Sequence, residues 1–289
     1  MSDTAAERRL LRTQWAMVVV TGLPGIAAVI ALIFTFSTVQ QSGETLQIAE
    51  QGQITDPRYN DAVTNLGSDT IDIRLGGIYA LQRIMTDSAR DQPAIIRILC
   101  AFARVHAPQK PHSRSAPPSL KAIGAMPPDI AAALQVLVQR NTAEDGSAQI
   151  DLHGANLANA DLKKADLDHA NLRGANLDFA MLEGASLANV DLYGANVRFA
   201  GLNEANLTKA DLELATLDGA DLTGVDLTGA NLVLADFSQG DLSEATLTVD
   251  QLLSASRIPP LRQLPKPLAS DSRVRAKITR DTQRDAKRD

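Results

Sequence analysis

A period of five residues runs without a gap from Ile150 to Leu247, and it restricts what this chain can fold into more than any other feature. Each unit reads small residue, Asp or Asn, Leu, then two variable positions. With Leu152 as the first centre there are twenty centres in phase, eighteen of them Leu, with Val197 and Phe237 the replacements. Two positions earlier the residue is Ala everywhere except at Ile150, Val190, Val225 and Gly240. A period of five matches neither the 3.6 residues of a helix nor the two of a strand. Wound as a helix, the Leu positions would walk around the surface and bury no stripe. A coil with one small and one large inward residue per side buries both. Such coils stack through strand-like hydrogen bonds at about 4.8 Å, and a unit that hides its apolar face only against its neighbours makes a solenoid.

The opening units are Ala155-Asn156-Leu157, Ala160-Asp161-Leu162, Ala165-Asp166-Leu167 and Ala170-Asn171-Leu172. In tandem, Ala-(Asp/Asn)-Leu-x-x resembles the repeat of the pentapeptide-repeat proteins. The resemblance implies a right-handed quadrilateral β-helix with four pentapeptides per coil, here about five coils and a rod of roughly 24 Å. The expected core is Leu157, Leu162, Leu167, Leu172, Leu177, Leu182, Leu187, Leu192, Val197, Leu202, Leu207, Leu212, Leu217, Leu222, Leu227, Leu232, Phe237 and Leu242.

The rest of the 289 residues divides around this block. Residues 1–14 are polar and carry Arg8, Arg9 and Arg12. From Trp15 to Phe36 there are 22 residues without a charge, long enough at about 1.5 Å per residue to cross a ~30 Å hydrocarbon core. Residues 15–37 are therefore expected to form a transmembrane helix. A cleaved signal peptide is the competing reading; its apolar run is normally shorter, and no Ala-x-Ala site follows Phe36. Three Arg precede the span, and Glu44 and Glu50 are the first charges after it. The positive-inside rule places the N-terminus in the cytoplasm and the repeats outside a single-pass cell-membrane protein; a cytoplasmic rod is the alternative.

Residues 38–68 read as a polar stalk, with Pro57 interrupting any helix near Asp56. Residues 69–107 read as an α-helical hairpin. Leu75, Ile78, Leu81, Ile84 and Met85 share one helical face, and Ile95, Ile96, Ile98, Leu99, Phe102 and Ala103 follow after Pro93. Gly52-Gln53-Ile54-Thr55-Asp56 with Arg74-Leu75-Gly76-Gly77-Ile78-Tyr79-Ala80-Leu81 is similar to the helical segment before the repeats in membrane-linked pentapeptide proteins of actinobacteria and other bacteria, Pro57 being an extra residue against that pattern. That resemblance implies an architecture, not an activity.

Pro108, Pro111, Pro117 and Pro118 mark residues 108–126 as a linker. A capping helix is expected within 127–149, directly before the first coil, and a C-terminal cap within 248–256, because an uncapped solenoid exposes unpaired strand edges. Residues 257–289 carry ten Lys/Arg against four Asp, with few apolar residues after Leu268. This basic tail is expected to be disordered, a solubilising terminus or one that folds back on the acidic rod, with contact to nucleic acid or anionic lipid as the alternative.

No catalytic constellation is visible. His106, His112, His153 and His169 lie in no metal-ligand spacing, and Cys100 sits on an apolar helix face. No phosphate-binding loop or nucleophile elbow occurs. No cofactor or metal is expected, and the chain does not read as an enzyme.

The outward positions carry the remaining signal. From Ile150 to Leu252 there are 13 Asp and 4 Glu against 5 Lys/Arg, a net of −12 within a chain of net −6. Short polar side chains before Leu also suit tight-turn backbone, so the acid alone decides nothing. Phe179 and Phe199 are twenty residues apart and stack, as do Leu214 and Leu234. The Phe pair is expected on the Asn-bearing side and the Leu pair on the adjacent side, two apolar pairs around one corner that form the candidate interaction surface, since exposed apolar patches mark interfaces. Its occupant would be the chain's own helical segment, an unidentified protein partner, or a second copy in a homodimer. Lipid is contacted through residues 15–37, and direct nucleic-acid binding is expected only through the basic tail. The reading is a membrane-anchored, non-enzymatic protein-interaction scaffold. The alternative is a DNA-mimicking regulator of a nucleic-acid enzyme such as DNA gyrase, as some pentapeptide-repeat proteins are.

Overall fold

A computed structural model describes residues 57–107 and 125–285, in two units, residues 1–80 and 81–289, each taken by itself. The expected N-terminal segment, the transmembrane stretch 15–37, residues 38–56 of the stalk and residues 108–124 of the linker lie outside the described residues. Among the described residues, no helix is long and apolar enough to cross a membrane.

In the first unit, helix α1 (Pro57–Leu66) opens on its proline, which suits a first helical turn whose N–H groups have no partner. The turn after it leads into α2 (Ile71–Asp87), of which the residues up to Ala80 belong to this unit, and Arg74 donates through Nη1 to the Ser68 carbonyl at 2.9 Å. The two helices touch at Gly77, where an added Cβ would lie 2.7 Å from the Ala62 carbonyl oxygen.

In the second unit, α3 (Gln92–His106) packs on α4 (Pro128–Val138). Apolar residues at helical spacing, Ile95, Ile96, Leu99, Phe102 and Ala103 on one and Ile130, Ala133, Leu134 and Leu137 on the other, are all buried. Gln92 is itself buried, and its amide donates to the Asn141 carbonyl at 2.6 Å and to Asp145 at 2.8 Å.

From Ile150 the chain winds as a four-sided β-helix. Parallel bridges join residues twenty apart, Asp151 to Asn171 to Asp191 to Asp211 to Asn231 on one side and Asn156 to Asn176 to Asn196 to Thr216 to Asp236 on the next. Backbone bonds such as Leu152 N–H to Asn171 O (2.8 Å) and Asn171 N–H to Ile150 O (2.8 Å) stitch each coil to its neighbours. The expected Leu, Val and Phe core residues are all buried, as is the Ala column beside them. Each side ends in a tight turn, closed for example by Ala155 N–H donating to Leu152 O at 3.1 Å. The second residue of that turn has positive φ at every fifth position from Gly154 to Glu244, twelve times in a residue other than glycine. That is the geometry of a type II turn.

Both ends of the stack are covered. At the first coil, Arg104 donates through Nη1 to the Asp151 carbonyl (2.7 Å) and to its carboxylate. Arg140, almost fully buried, holds Asp145 at 2.9 Å and donates to the Asp166 carbonyl at 2.9 Å. Asn156 N–H finds the Ala107 carbonyl at 2.8 Å. The helical pair therefore docks on the end of the rod, and not at the Phe/Leu positions.

At the last coil, α5 (Val249–Ser254) begins with a capping box between Thr248 and Gln251, and the Gln251 amide satisfies the carbonyls of Leu227 (2.7 Å) and Ala230 (3.0 Å). The cap does not stop at residue 256. Arg257 pairs in parallel with Asp236, and Leu242 N–H donates to the Gln263 carbonyl at 2.9 Å. Two further helices follow, α6 (Lys266–Ser270) and α7 (Ser272–Asp285). This corrects the expectation of a disordered tail from residue 257. Ile258, Leu264, Leu268 and Val274 are sparse in the sequence but all buried, and they give the segment a core against the rod's end.

Because Leu202 is fully buried in the column of inward Leu residues, Leu202→Asp places an unpaired charge in the column at a cost of several kcal/mol. Loss of the cooperative thermal transition in circular dichroism is expected; an unchanged melt would mean Leu202 does not point inward.

Candidate interaction surface

Four sides make each coil: the first centred on Leu152, Leu172, Leu192, Leu212 and Leu232, and the second on Leu157, Leu177, Val197, Leu217 and Phe237. The second side carries an amide ladder. Asn176 Nδ2 donates to Asn156 Oδ1 at 2.7 Å, and Asn196 Nδ2 to Asn176 Oδ1 at 3.0 Å. Asn156 and Asn176 also accept, through the same oxygens, from the backbone N–H groups of Ala158 and Asp178. Asn fits the ladder because it both donates and accepts. Asp can only accept when ionised, which is why Asp151 and Asp211 on the first side each receive an Asn amide from the next coil, at 2.9 and 3.0 Å.

Beside the ladder lies a column of alternating charge. Arg198 Nε is 3.8 Å from Asp218, and both side chains are largely buried. Burial pushes the Asp218 carboxyl above the usual carboxylate range; Asp236 adds to this by repulsion, and Arg198 works against it. An acid whose folded pKa is raised favours the folded state only where it is protonated. Its contribution is therefore present at low pH and lost as pH rises through the folded value.

Phe179 and Phe199 close the second side, with φ of +57° and +55°. Their rings stack with centroids 5.0 Å apart and 21° between planes, and the Arg198 guanidinium lies 5.3 Å from the Phe199 ring. Both are half-buried. The stack ends at Gly219, whose Cβ, were there one, would be 2.5 Å from the Phe199 ring. Space calls for glycine there, while the left-handed φ (+70°) is one that other residues adopt at the equivalent corners at a cost in strain.

Leu214 and Leu234 close the first side. They lie on the side adjacent to that of the Phe pair, as the sequence suggested, but at a different turn: the two pairs stand on the two corners that bound the second side. Phase explains the difference, since residues 214 and 234 end a side that comes one fifth-residue step before the side ended by 199. Leu214 is 43% exposed and Leu234 52%, and Val233 beside them, which sequence reasoning passed over, is 41% exposed. Leu214 N–H donates to the Val233 carbonyl at 3.0 Å, so the three form one row across two coils. Elsewhere on the first side, Arg173 lies 3.7 Å from the Tyr193 ring centroid.

The other candidates are quieter. His153 is exposed and within 2.7 Å of Asp151 Oδ1, and His106 stacks on Phe102 at 4.3 Å. Burial pushes the Cys100 thiol up to about 12, the reverse of what a nucleophile needs. Among the described residues no His, Cys, Asp and Glu cluster could hold a metal ion.

Two outcomes test this side. Asp218→Asn is expected to raise Tm at neutral pH, with the gain shrinking as pH falls through the carboxylate range; a gain independent of pH would clear the charge of blame. Gly219→Ala is expected to cost about 1–3 kcal/mol by crowding Phe199, on top of left-handed strain. In a Phe199→Ala background only the strain, about 1–2 kcal/mol, should remain, and equal costs in both backgrounds would refute the contact.

The family model "Pentapeptide repeats" matches this chain in 8 copies, over residues 150–189, 170–208, 185–224 and 210–248. Among solved structures, the chain is similar to a pentapeptide repeat protein (Rfr23) from the cyanobacterium Cyanothece 51142, at 28% identity over 33% of this chain and 64% of that one, TM-score 0.31. It is also similar to HetL from the cyanobacterium Nostoc sp. strain PCC 7120, described as involved in heterocyst differentiation regulation, at 30% identity over 38% and 62%, TM-score 0.22. A third is a pentapeptide repeat protein from the Arabidopsis thaliana thylakoid lumen, AT2G44920, at 35% identity over 36% and 72%, TM-score 0.21. The chain spans a little under two thirds of the first two. No curated protein matches it. With eight copies of the repeat in one register and four five-residue sides per coil, the chain belongs to the pentapeptide-repeat family, and its rod is a right-handed quadrilateral β-helix.

Proposed function

We propose that this pentapeptide-repeat scaffold is a membrane-anchored, non-enzymatic protein that presents one face of its rod to a protein partner. The observation that carries the reading is the row of Leu214, Val233 and Leu234, large apolar side chains exposed side by side on adjacent coils. Large apolar side chains are not needed at outward positions to hold the coil, and contiguous ones usually mark an interface. The helical pair that could have covered them is docked on the rod's end through Arg104 and Arg140. A foreign protein or a second copy is thus the fitting occupant. The anchor rests on the 22 uncharged residues Trp15–Phe36, and the flanking Arg8, Arg9 and Arg12 favour a rod outside the cell.

A second reading keeps one observation in its favour. The net −12 spread along about 24 Å of rod is roughly one charge per 2 Å, near the one per ~1.7 Å of duplex DNA. A DNA-mimicking regulator of an enzyme such as DNA gyrase would use that charge, provided the rod is cytoplasmic.

Two experiments separate these. Reporters active only inside or only outside the cell, fused after Asp289, should report the outside; an inside result would reverse the ranking and make gyrase binding the next assay. Leu214→Ser with Leu234→Ser should leave the melt of the rod unchanged and weaken association at least tenfold, since two exposed Leu side chains each give up about 1 kcal/mol or more on losing a buried contact. Undiminished association would take the row out of the account. The Phe pair is a poorer choice for this test, because its stacked, half-buried rings also support the fold.

A further inference from the structure

The C-terminal cap carries a charge opposite to that of the rod it covers. From Arg257 to Asp289 the sequence has ten Lys/Arg and four Asp, against −12 for the coils. Helix α7 turns its apolar residues inward: Val274 is buried, Ile278 is half-buried, and the helix packs on α5 and α6. Arg273 is engaged by Asp250 (3.1 Å) and Asp271 (3.4 Å). Arg262, Lys266, Arg275 and Arg280 are exposed and make no ion pair among the described residues; Arg275 and Arg280 bond only the carbonyls of Ala269 and Ala276 through Nε. Leu261, next to Arg262, is 37% exposed.

We infer that this cap is a docking surface for the anionic headgroups of a lipid bilayer. The inference rests on the reading of the chain as membrane-anchored, which keeps the cap near such a surface. Charge decides which part of the second unit approaches. The acidic coils are repelled by anionic lipid, and each exposed Lys or Arg close to such a surface raises its partition about fivefold. With the apolar face of α7 already packed inside the protein, contact is electrostatic and superficial, with Leu261 the one large apolar side chain placed to dip into the headgroups. Nucleic acid fits less well. No aromatic residue follows Phe237, so the cap offers no stacking platform for bases. A second copy, its acidic flank held by the cap, would make an open-ended head-to-side contact.

The test is hydrogen exchange on the full chain reconstituted in vesicles of neutral phosphatidylcholine or with about a third phosphatidylglycerol. Amides of residues 272–283 are expected to exchange at least fivefold more slowly in the anionic vesicles. The difference should vanish in about 1 M salt, where screening acts over about 3 Å, and in the variant Arg262→Glu/Lys266→Glu/Arg275→Glu/Arg280→Glu, whose exposed substitutions leave Leu264, Leu268 and Val274 packed. Equal exchange in the two vesicles overturns the inference. So does stronger slowing by a DNA duplex in neutral vesicles, or slowing there that grows with protein density. Flotation separates the two readings. A chain that fails to float with neutral vesicles has no anchor, and salt-sensitive flotation with anionic vesicles would then still uphold the docking surface.

Discussion

The structure depends on the turn that closes each five-residue side. For a side to end after five residues and deliver the next Ala inward, its second turn residue must adopt a left-handed backbone. It does so nineteen times in succession, and only seven of those residues are glycine. The other twelve each carry about 1–2 kcal/mol of strain. Burying one Leu per side returns about 1.5–3 kcal/mol, and the inter-coil backbone bonds add to that. The repeat therefore tolerates Phe, Leu, Lys, Glu and His at the corner positions, and the composition of the corners is left to be set by what they do.

Such a stack is only as sound as its ends. A coil that satisfies its backbone through the coils above and below leaves the first and last with open carbonyls and N–H groups. The chain closes both with side chains that reach across: the guanidinium groups of Arg104 and Arg140 at one end, and the carboxamide of Gln251 at the other. Arginine suits the first coil because one fork serves a carboxylate and a carbonyl together, as Arg104 does at Asp151. The caps are of unlike make, a packed helix pair before the coils and a short helix followed by a proline-rich wrap after them.

How far the sequence was readable follows from how local each signal is. The core was legible residue by residue, because the inward positions repeat without a gap and no other period fits them. The C-terminal wrap was not. Ile258, Leu264, Leu268 and Val274 sit among prolines and arginines at no regular spacing, so nothing in composition distinguishes them from a solvated tail; only the open end of the last coil makes them core. The surface lay between these cases. Twenty-residue spacing foretold that Phe179 would lie on Phe199 and Leu214 beside Leu234, and phase put the two pairs on adjacent sides, yet each pair ends its own side and so marks its own corner. Val233 is not announced by the spacing, because the residue twenty before it is Glu213. Arg104 and Arg140 were unreadable, since their partners at Asp151 and Asp166 are distant in sequence and both reach a backbone oxygen there.

The columns on the four sides carry a consequence for how such a rod can change in length. Adding or removing twenty residues inserts or deletes a whole storey and leaves every column intact above and below it. Adding five keeps the core in phase but rotates everything beyond the insertion by a quarter turn. The Asn ladder would then meet residues from a different side, Phe199 would no longer lie under Gly219, and Gln251 would face the wrong carbonyls. The inward pattern cannot detect that error, whereas the outward columns and the caps can. The rod's growth is therefore quantised in coils by its surface, although its core repeats four times as often.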